Sequence, residues 1–259
     1  MKIRDICFAL LTTTLVSCGN NENGGNNYSQ LNKEEFVKEL SNLETPVDSK
    51  IYEIKGTLKE GNLAIKSTLT SQINFEGTLS ANINTQEKSK YSVDLNAHIV
   101  DRDKTNESYD FKFSLKTKDE TNYTISTEAL EEIQSSDIAI TDAEKNVNDI
   151  LKTLNYGYVT KDMLTSLIDD SLTTDLDFKK HDNKLELSFS YSSQNTYLGE
   201  NAEMKMENSK VIFENTGKIV SISGLFSAKN IDLSKLNNSG DSSALTGTID
   251  VTTAIELNF

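Results

Sequence analysis

Between residues 50 and 125 the apolar positions of this chain recur at every second residue. Tyr52, Ile54 and Leu58 open the series, and Ile73, Phe75, Leu79, Ala81 and Ile83 continue it. Tyr91, Val93, Leu95, Ala97 and Ile99 follow, then Tyr109, Phe111, Phe113 and Leu115, then a shorter Tyr123 and Ile125. A period of two turns one face of each strand to a core and the other to water. The stretches 59–62, 101–107 and 118–122 between these runs are short and polar, which predicts antiparallel hairpins. Beyond residue 174 the pattern returns in Leu176 and Phe178; Leu185, Leu187, Phe189 and Tyr191; Met204 and Met206; Val211 and Phe213; and Val220, Ile222 and Phe226. The last run, Ile249, Val251, Ile255, Leu257 and Phe259, alternates to the final residue.

Helical spacing occupies the remaining segments. Phe36, Val37, Leu40 and Leu43 predict a helix over 33–43, with Asn32 as its cap, Glu35 completing a capping box and Pro46 ending it. The pattern fits a short helix near 128–134, a longer one over 142–154 through Val147, Ile150, Leu151 and Leu154, and one over 161–172 beyond Gly157. The fold class is mainly β with a few helices, an α+β domain over 29–259 built on one antiparallel sheet. About ten strands at roughly 4.8 Å spacing would span near 48 Å, whereas a helix with its side chains covers only about 10–12 Å. A few helices cannot tile that face. The sheet is therefore expected to curl into a half-barrel, with an N-terminal helix and a central helical lid.

Glycines fit such a curl. Gly56, Gly77, Gly224 and Gly247 lie in register with the apolar face of their strand patterns, and three of them open the repeated sequences Gly56-Thr57-Leu58, Gly77-Thr78-Leu79 and Gly247-Thr248-Ile249. Interior strand glycines mark bends or the close approach of another group. These four are read as inward-facing curvature positions.

Chemistry narrows the function classes. The chain carries 26 basic and 40 acidic residues, a net charge of -14, with no clustered basic face, which excludes a nucleic-acid binder. His98 falls on the polar side of its strand and His181 in a turn, so both are expected to be solvated. No Gly-x-Ser-x-Gly elbow, His-Glu-x-x-His helix or calcium-loop pattern occurs. The paired acids Glu131-Glu132 and Asp169-Asp170 read as solvated helix faces. The expectation is a protein that is not an enzyme and uses no metal or cofactor.

The N-terminus has its own logic. Lys2 and Arg4 precede an apolar stretch over 6–16, and Leu15-Val16-Ser17-Cys18 closes it. The stretch is too short to cross a bilayer, which needs roughly 20 apolar residues. It resembles the signal and lipobox of bacterial lipoproteins. The resemblance implies cleavage between Ser17 and Cys18, removal of residues 1–17, and acylation of Cys18. Cys7 would leave with the signal and Cys18 would carry lipid, so the mature chain could form no disulfide. Residues 18–28 then read as a lipidated cysteine and a tether, since 19–27 is GNNENGGNN without an apolar residue. Gly19 stands where an aspartate in Gram-negative lipoproteins is associated with inner-membrane retention, so the expected address is extracytoplasmic in a bacterial envelope, at the outer membrane or cell surface if the host is Gram-negative.

The order of elements is similar to the LolA-, LppX- and LprG-like half-barrel lipid and lipoprotein carriers of bacterial envelopes. That resemblance implies an acyl ligand held between concave sheet and lid. The corresponding cavity would be lined by Phe75, Phe111, Phe113, Phe189 and Phe226 on the sheet and by Ile150, Leu164 and Leu167 on the helices. The alternative is a surface-displayed structural or interaction lipoprotein with a packed interior and no small ligand. Both readings make the membrane a partner through Cys18, with lipid or other envelope proteins as further partners; the sequence leaves the oligomeric state open.

Overall fold

A computed structural model describes residues 28–43, 51–67, 70–84, 92–103, 107–119, 121–129, 132–139, 158–196, 198–236 and 246–259. Cys18 with the whole N-terminal segment, Ile150 and the expected helix over 142–154 lie outside the described residues. The strands run in chain order as β1 (Ser29–Leu31), β2 (Ile51–Lys66), β3 (Thr70–Asn84), β4 (Ser92–Asp101), β5 (Glu107–Thr117), β6 (Asn122–Ala129) and β7 (Glu132–Ala139). They continue as β8 (Thr173–His181), β9 (Lys184–Gln194), β10 (Glu203–Glu214), β11 (Ile219–Asp232) and β12 (Thr248–Asn258). All join one open antiparallel sheet in the order β1-β8-β9-β10-β11-β12-β2-β3-β4-β5-β6-β7, twelve strands rather than about ten. The C-terminal strand pairs with β2 and so ties the two halves of the chain together.

Two helices are described. Helix α1 (Lys33–Leu40) begins at Asn32, whose side chain accepts from Glu35 N–H at 3.0 Å while Glu35 Oε2 accepts from Asn32 N–H at 2.9 Å. This is the expected capping box, but the helix stops short of residue 43. Helix α2 (Lys161–Asp169) is capped by Thr160, and Asp170 is already extended, so it ends before the expected residue 172. Both helices pack on β8 and on each other. No helix among the described residues is long and apolar enough to cross a membrane.

The expected helix near 128–134 is instead the end of β6 and the start of β7. Thr127, Glu128 and Ala129 pair with Gln134, Ile133 and Glu132, so ladder pairing overrides the weak local helical spacing. Strands β1 and β7 escape the period-two pattern for different reasons. The first has only three residues, and the second is exposed at each of its described side chains, Ile133 being 71% exposed.

Other departures come from β-bulges. Residues 59–62 were expected to turn; instead Lys59 and Glu60 stand opposite Glu76 alone and β2 continues to Lys66. The extra residue moves the apolar phase from Ile54, Gly56 and Leu58 to Gly61, Leu63 and Ile65, as a bulge must in a period-two ladder. The same device joins Met204 and Met206 to Val211 and Phe213 in one strand, β10, where Glu207 and Asn208 face a single residue of β9. Further bulges lie at 175–176 in β8 and 229–230 in β11. Glu60, Asp175, Asn208 and Asn230 take positive φ at these places. Bulges increase local twist and bend the strand, so these sites curve the sheet alongside the glycines.

The glycines contribute through close approach. A Cβ on Gly77 would lie 2.4 Å from Asn96 O, and one on Gly56 would lie 2.6 Å from the Leu257 side chain. Gly224 has a positive φ and stands against Ser209, whereas Gly247 lies just before β12, with φ +130 and a virtual Cβ 2.3 Å from Lys66 O. Gly247 is thus a strand-entry position rather than an interior one.

Asp250 fastens the bulge in β11. Its Oδ1 accepts from Asn230 N–H at 2.8 Å and its other oxygen pairs with Lys66. Burial pushes the carboxyl up, but the Asn230 and Lys66 contacts together outweigh it and hold Asp250 below the ordinary value of 3.8. A lowered carboxylate stabilises the fold above its unfolded pKa and loses that contribution as pH falls through the folded value.

Two outcomes follow from this geometry. Gly77→Val should cost roughly 1–3 kcal/mol of stability, because the neighbour it meets is backbone and cannot rotate away; urea unfolding measures it, and an unchanged midpoint contradicts the close approach. Asp250→Asn should cost about 1 kcal/mol near neutral pH, discounted for the exposure of Lys66, and the deficit should shrink as pH falls below the ordinary carboxylate value of 3.8 toward the lowered value of the native carboxylate. Paired urea titrations near neutral pH and below that ordinary value test the sign.

Candidate functional surface

Apolar side chains gather in two clusters. One joins Phe75, Phe111, Leu63 and Tyr123 to Phe226, Val251 and Leu257, with Phe113 partly buried beside it. The other joins α1 and α2 to β8–β11 through Phe36, Leu164, Phe178, Phe189 and Phe213, with Leu167 partly buried. The Phe36 ring packs 4.8 Å from Phe178 and 6.2 Å from Phe213, centroid to centroid. Met206 and Phe259 touch both clusters. The eight residues expected to line one cavity are therefore divided. Phe75, Phe111, Phe113 and Phe226 belong to the first cluster, and Phe189, Leu164 and Leu167 to the second. Ile150 is outside the described residues. Exposure of the buried members never exceeds 8%.

On the opposite, polar face the register aligns a transverse row across eleven strands. It reads Asp177, Ser188, Lys210, Ser223, Glu256, Thr57, Thr78, Asn96, Lys112, Glu128 and Ile133, each cross-strand partner of the next. The middle of this row, on β2–β5, floors an open trough of about 490 Å³. Thr57, Thr78, Asn96, Lys59, Glu76, His98, Asp110 and Lys112 supply its polar lining, and Leu58, Gly77, Ala97 and Phe111 line it as well.

The trough is electrically mixed. Lys112 Nζ donates to Glu128 Oε1 at 2.8 Å, and that hydrogen bond and charge, with Asp110 adding to them, raise its pKa above the ordinary lysine value. His98 Nδ1 lies 2.9 Å from Asp110 Oδ1. The pair is exposed, as the strand phase of His98 predicts. His181 departs from expectation: it is half-buried, its ring 5.1 Å from that of Tyr28. Asp169 pairs with Lys33 at 2.7 Å and Asp170 caps Leu172 N–H, while Glu132 stands on β7 rather than on a helix. Among the described residues, no three His, Cys, Asp or Glu side chains come together in a way that could hold a metal ion.

Among the described residues, one charged side chain is buried. Glu186 on β9 is 2% exposed, and its Oε1 forms an ion pair with Lys210 Nζ at 3.2 Å and accepts from Lys179 Nζ at 3.5 Å. Lys179 also pairs with Asp177 at 2.7 Å, the largest cause of its raised pKa, with the Glu186 charge adding to it. In sequence Glu186 is an ordinary polar position between Leu185 and Leu187. Only the register, which sets lysines on either side of it, marks it as special.

Removing this carboxylate leaves two lysines facing each other across β9. Glu186→Ala should cost roughly 1–3 kcal/mol, whereas Glu128→Ala at the exposed Lys112 pair should leave the thermal midpoint nearly unchanged. Equal effects of the two substitutions would show that Glu186 is no more than another surface charge. In comparisons with known proteins, no family model, no curated protein and no solved structure matches this chain.

Proposed function

We propose that the chain is a bacterial envelope lipoprotein, anchored through Cys18, whose domain meets its partners with the polar surface of the sheet. The observation that carries the second half of this reading is the distribution of space. The described apolar side chains gather in two clusters, while a concavity of about 490 Å³ lies between the polar side chains of β2–β5, with Leu58, Gly77, Ala97 and Phe111 also lining it. The first half rests on Leu15-Val16-Ser17-Cys18 and the apolar run before it. Two or more acyl chains suffice for stable anchoring, since each buried methylene contributes about 0.8 kcal/mol.

One observation favours a second reading, the half-barrel carrier with an acyl ligand between sheet and lid. Among the described residues, the buried side chains of α1 and α2 belong to the cluster on β8–β11 and none to the cluster on β2–β6, so the apolar face of those strands takes its cover from elsewhere. An acyl chain is one material that could provide it.

The two readings separate in one preparation. Protein spanning 27–259 is purified, extracted with organic solvent and examined by mass spectrometry for acyl lipid, then titrated with a fluorescent fatty acid. The packed reading expects neither co-purifying lipid nor saturable uptake; stoichiometric lipid establishes the carrier instead. In the full chain, Cys18→Ala should abolish metabolic labelling with palmitate and move the protein out of the membrane fraction. Retained labelling would remove the anchor at this residue.

A further inference from the structure

We infer that one corner of the sheet, where the N-terminal segment enters, rests against the lipid surface through Lys184 and Lys218. This rests on the anchor at Cys18 and adds to it an orientation. The chain reaches the fold at Tyr28, whose ring packs on His181 at the end of β8. The β8–β9 turn follows at once, and Asn183 O accepts from Asn215 N–H at 2.9 Å, which joins it to the β10–β11 turn. Lys218 on that second turn is bridged to Tyr158, and Val159 N–H donates to Gly217 O at 2.8 Å. Tyr28, Tyr158, Lys184 and Lys218 are thereby collected at a single place on the rim.

Length confines that corner to the membrane. Residues 19–27 separate Cys18 from Tyr28, and at no more than about 3.6 Å per residue they reach roughly 35 Å from the lipid. The eleven residues of β9 alone carry the chain about 37 Å from this corner to the opposite rim. The far rim therefore lies beyond easy reach of the bilayer unless the domain lies down or inverts.

Charge opposes inversion. At the corner Lys180, Lys184 and Lys218 stand with Glu39, Asp182 and Glu214, so the carboxylates are balanced; Lys180 and Glu39 pair at 2.7 Å. Among the described residues of the far rim, Asp101, Asp103, Glu107, Glu200, Asp232 and Asp250 stand with Lys66, Arg102 and Lys229, Lys66 being paired with Asp250. Anionic headgroups repel the second set and tolerate the first, with each nearby lysine attracted to them. Tyrosines also favour the headgroup region, where ring and hydroxyl are both accommodated.

The test uses the full lipid-modified chain on vesicles of phosphatidylethanolamine and phosphatidylglycerol that contain doxyl-labelled lipid. Asn183→Cys and Glu107→Cys variants carry a fluorophore at the near and far rims. Quenching should be several-fold stronger at position 183, and 1 M salt or the double variant Lys184→Glu, Lys218→Glu should reduce the difference. Equal quenching at the two positions, a reversed order, or a difference insensitive to both treatments would overturn the inference. Flotation of the same samples reports the anchor separately: protein that fails to float defeats the anchor and the orientation together, whereas floating protein with equal quenching defeats the orientation alone.

Discussion

A period-two ladder permits no private errors, and the rest of this fold depends on that constraint. Each strand in the sheet is held on both edges except at the ends, so a residue inserted into one strand must be answered by its neighbours or their apolar faces part company. In β2 the phase shift at Lys59 and Glu60 is accommodated on one side by Glu76 of β3 and on the other by a shift beside Thr253 of β12. In β10 the shift at Glu207–Ser209 is met by Gly224 of β11, where a side chain would collide with Ser209. Bulges and glycines are thus two halves of one arrangement. The bulge supplies an extra residue and the bend, and the glycine supplies the space into which the bent strand moves.

Some groups of the polar face are buried as well. Here Glu186 is 2% exposed and Ser223 4%, although both sit on the face opposite the apolar clusters. An isolated carboxylate at such a site would be expensive, and β9 avoids that by standing between Lys179 of β8 and Lys210 of β10. Their stems lie over the sheet while their ammonium groups converge on one oxygen. The exposed pairs along the rest of the row add little to stability individually, being screened by water and salt.

Much of the ladder was legible in the sequence, because β3, β4, β5, β9 and β12 keep one phase over most of their length and their apolar residues declare it. Legibility failed where the phase changed. The polar run Lys59-Glu60-Gly61-Asn62 looks like a turn, and only the partner strand reveals that Gly61 resumes the inward series. Met206 and Val211 read as separate strands for the same reason. Strand β7 was hidden differently: Glu132, Gln134 and Ser136 continue the row of Phe111, Phe113 and Leu115 but are polar, so the pattern fades where the core ends. The polar-face trough had no linear signal at all. Its floor comes from β2, β3 and β4, and residues so far apart become neighbours only through register.

The division of the interior bears most directly on function. A carrier needs apolar surface that remains without a protein partner, and the seven described residues expected to line its cavity sit in or against two apolar clusters joined by Met206 and Phe259. Filling a cavity with side chains removes the gain from filling it with lipid, because the same apolar area cannot be taken out of water twice. Among the described residues, the polar face and the rims offer a further contact surface. These differ in charge from one end of the strands to the other, and the N-terminal segment enters at the balanced end. With the anchor proposed at Cys18, a short tether at that end would turn a difference in charge into a difference in direction, leaving the acidic rim and the open trough to whatever approaches from the aqueous side.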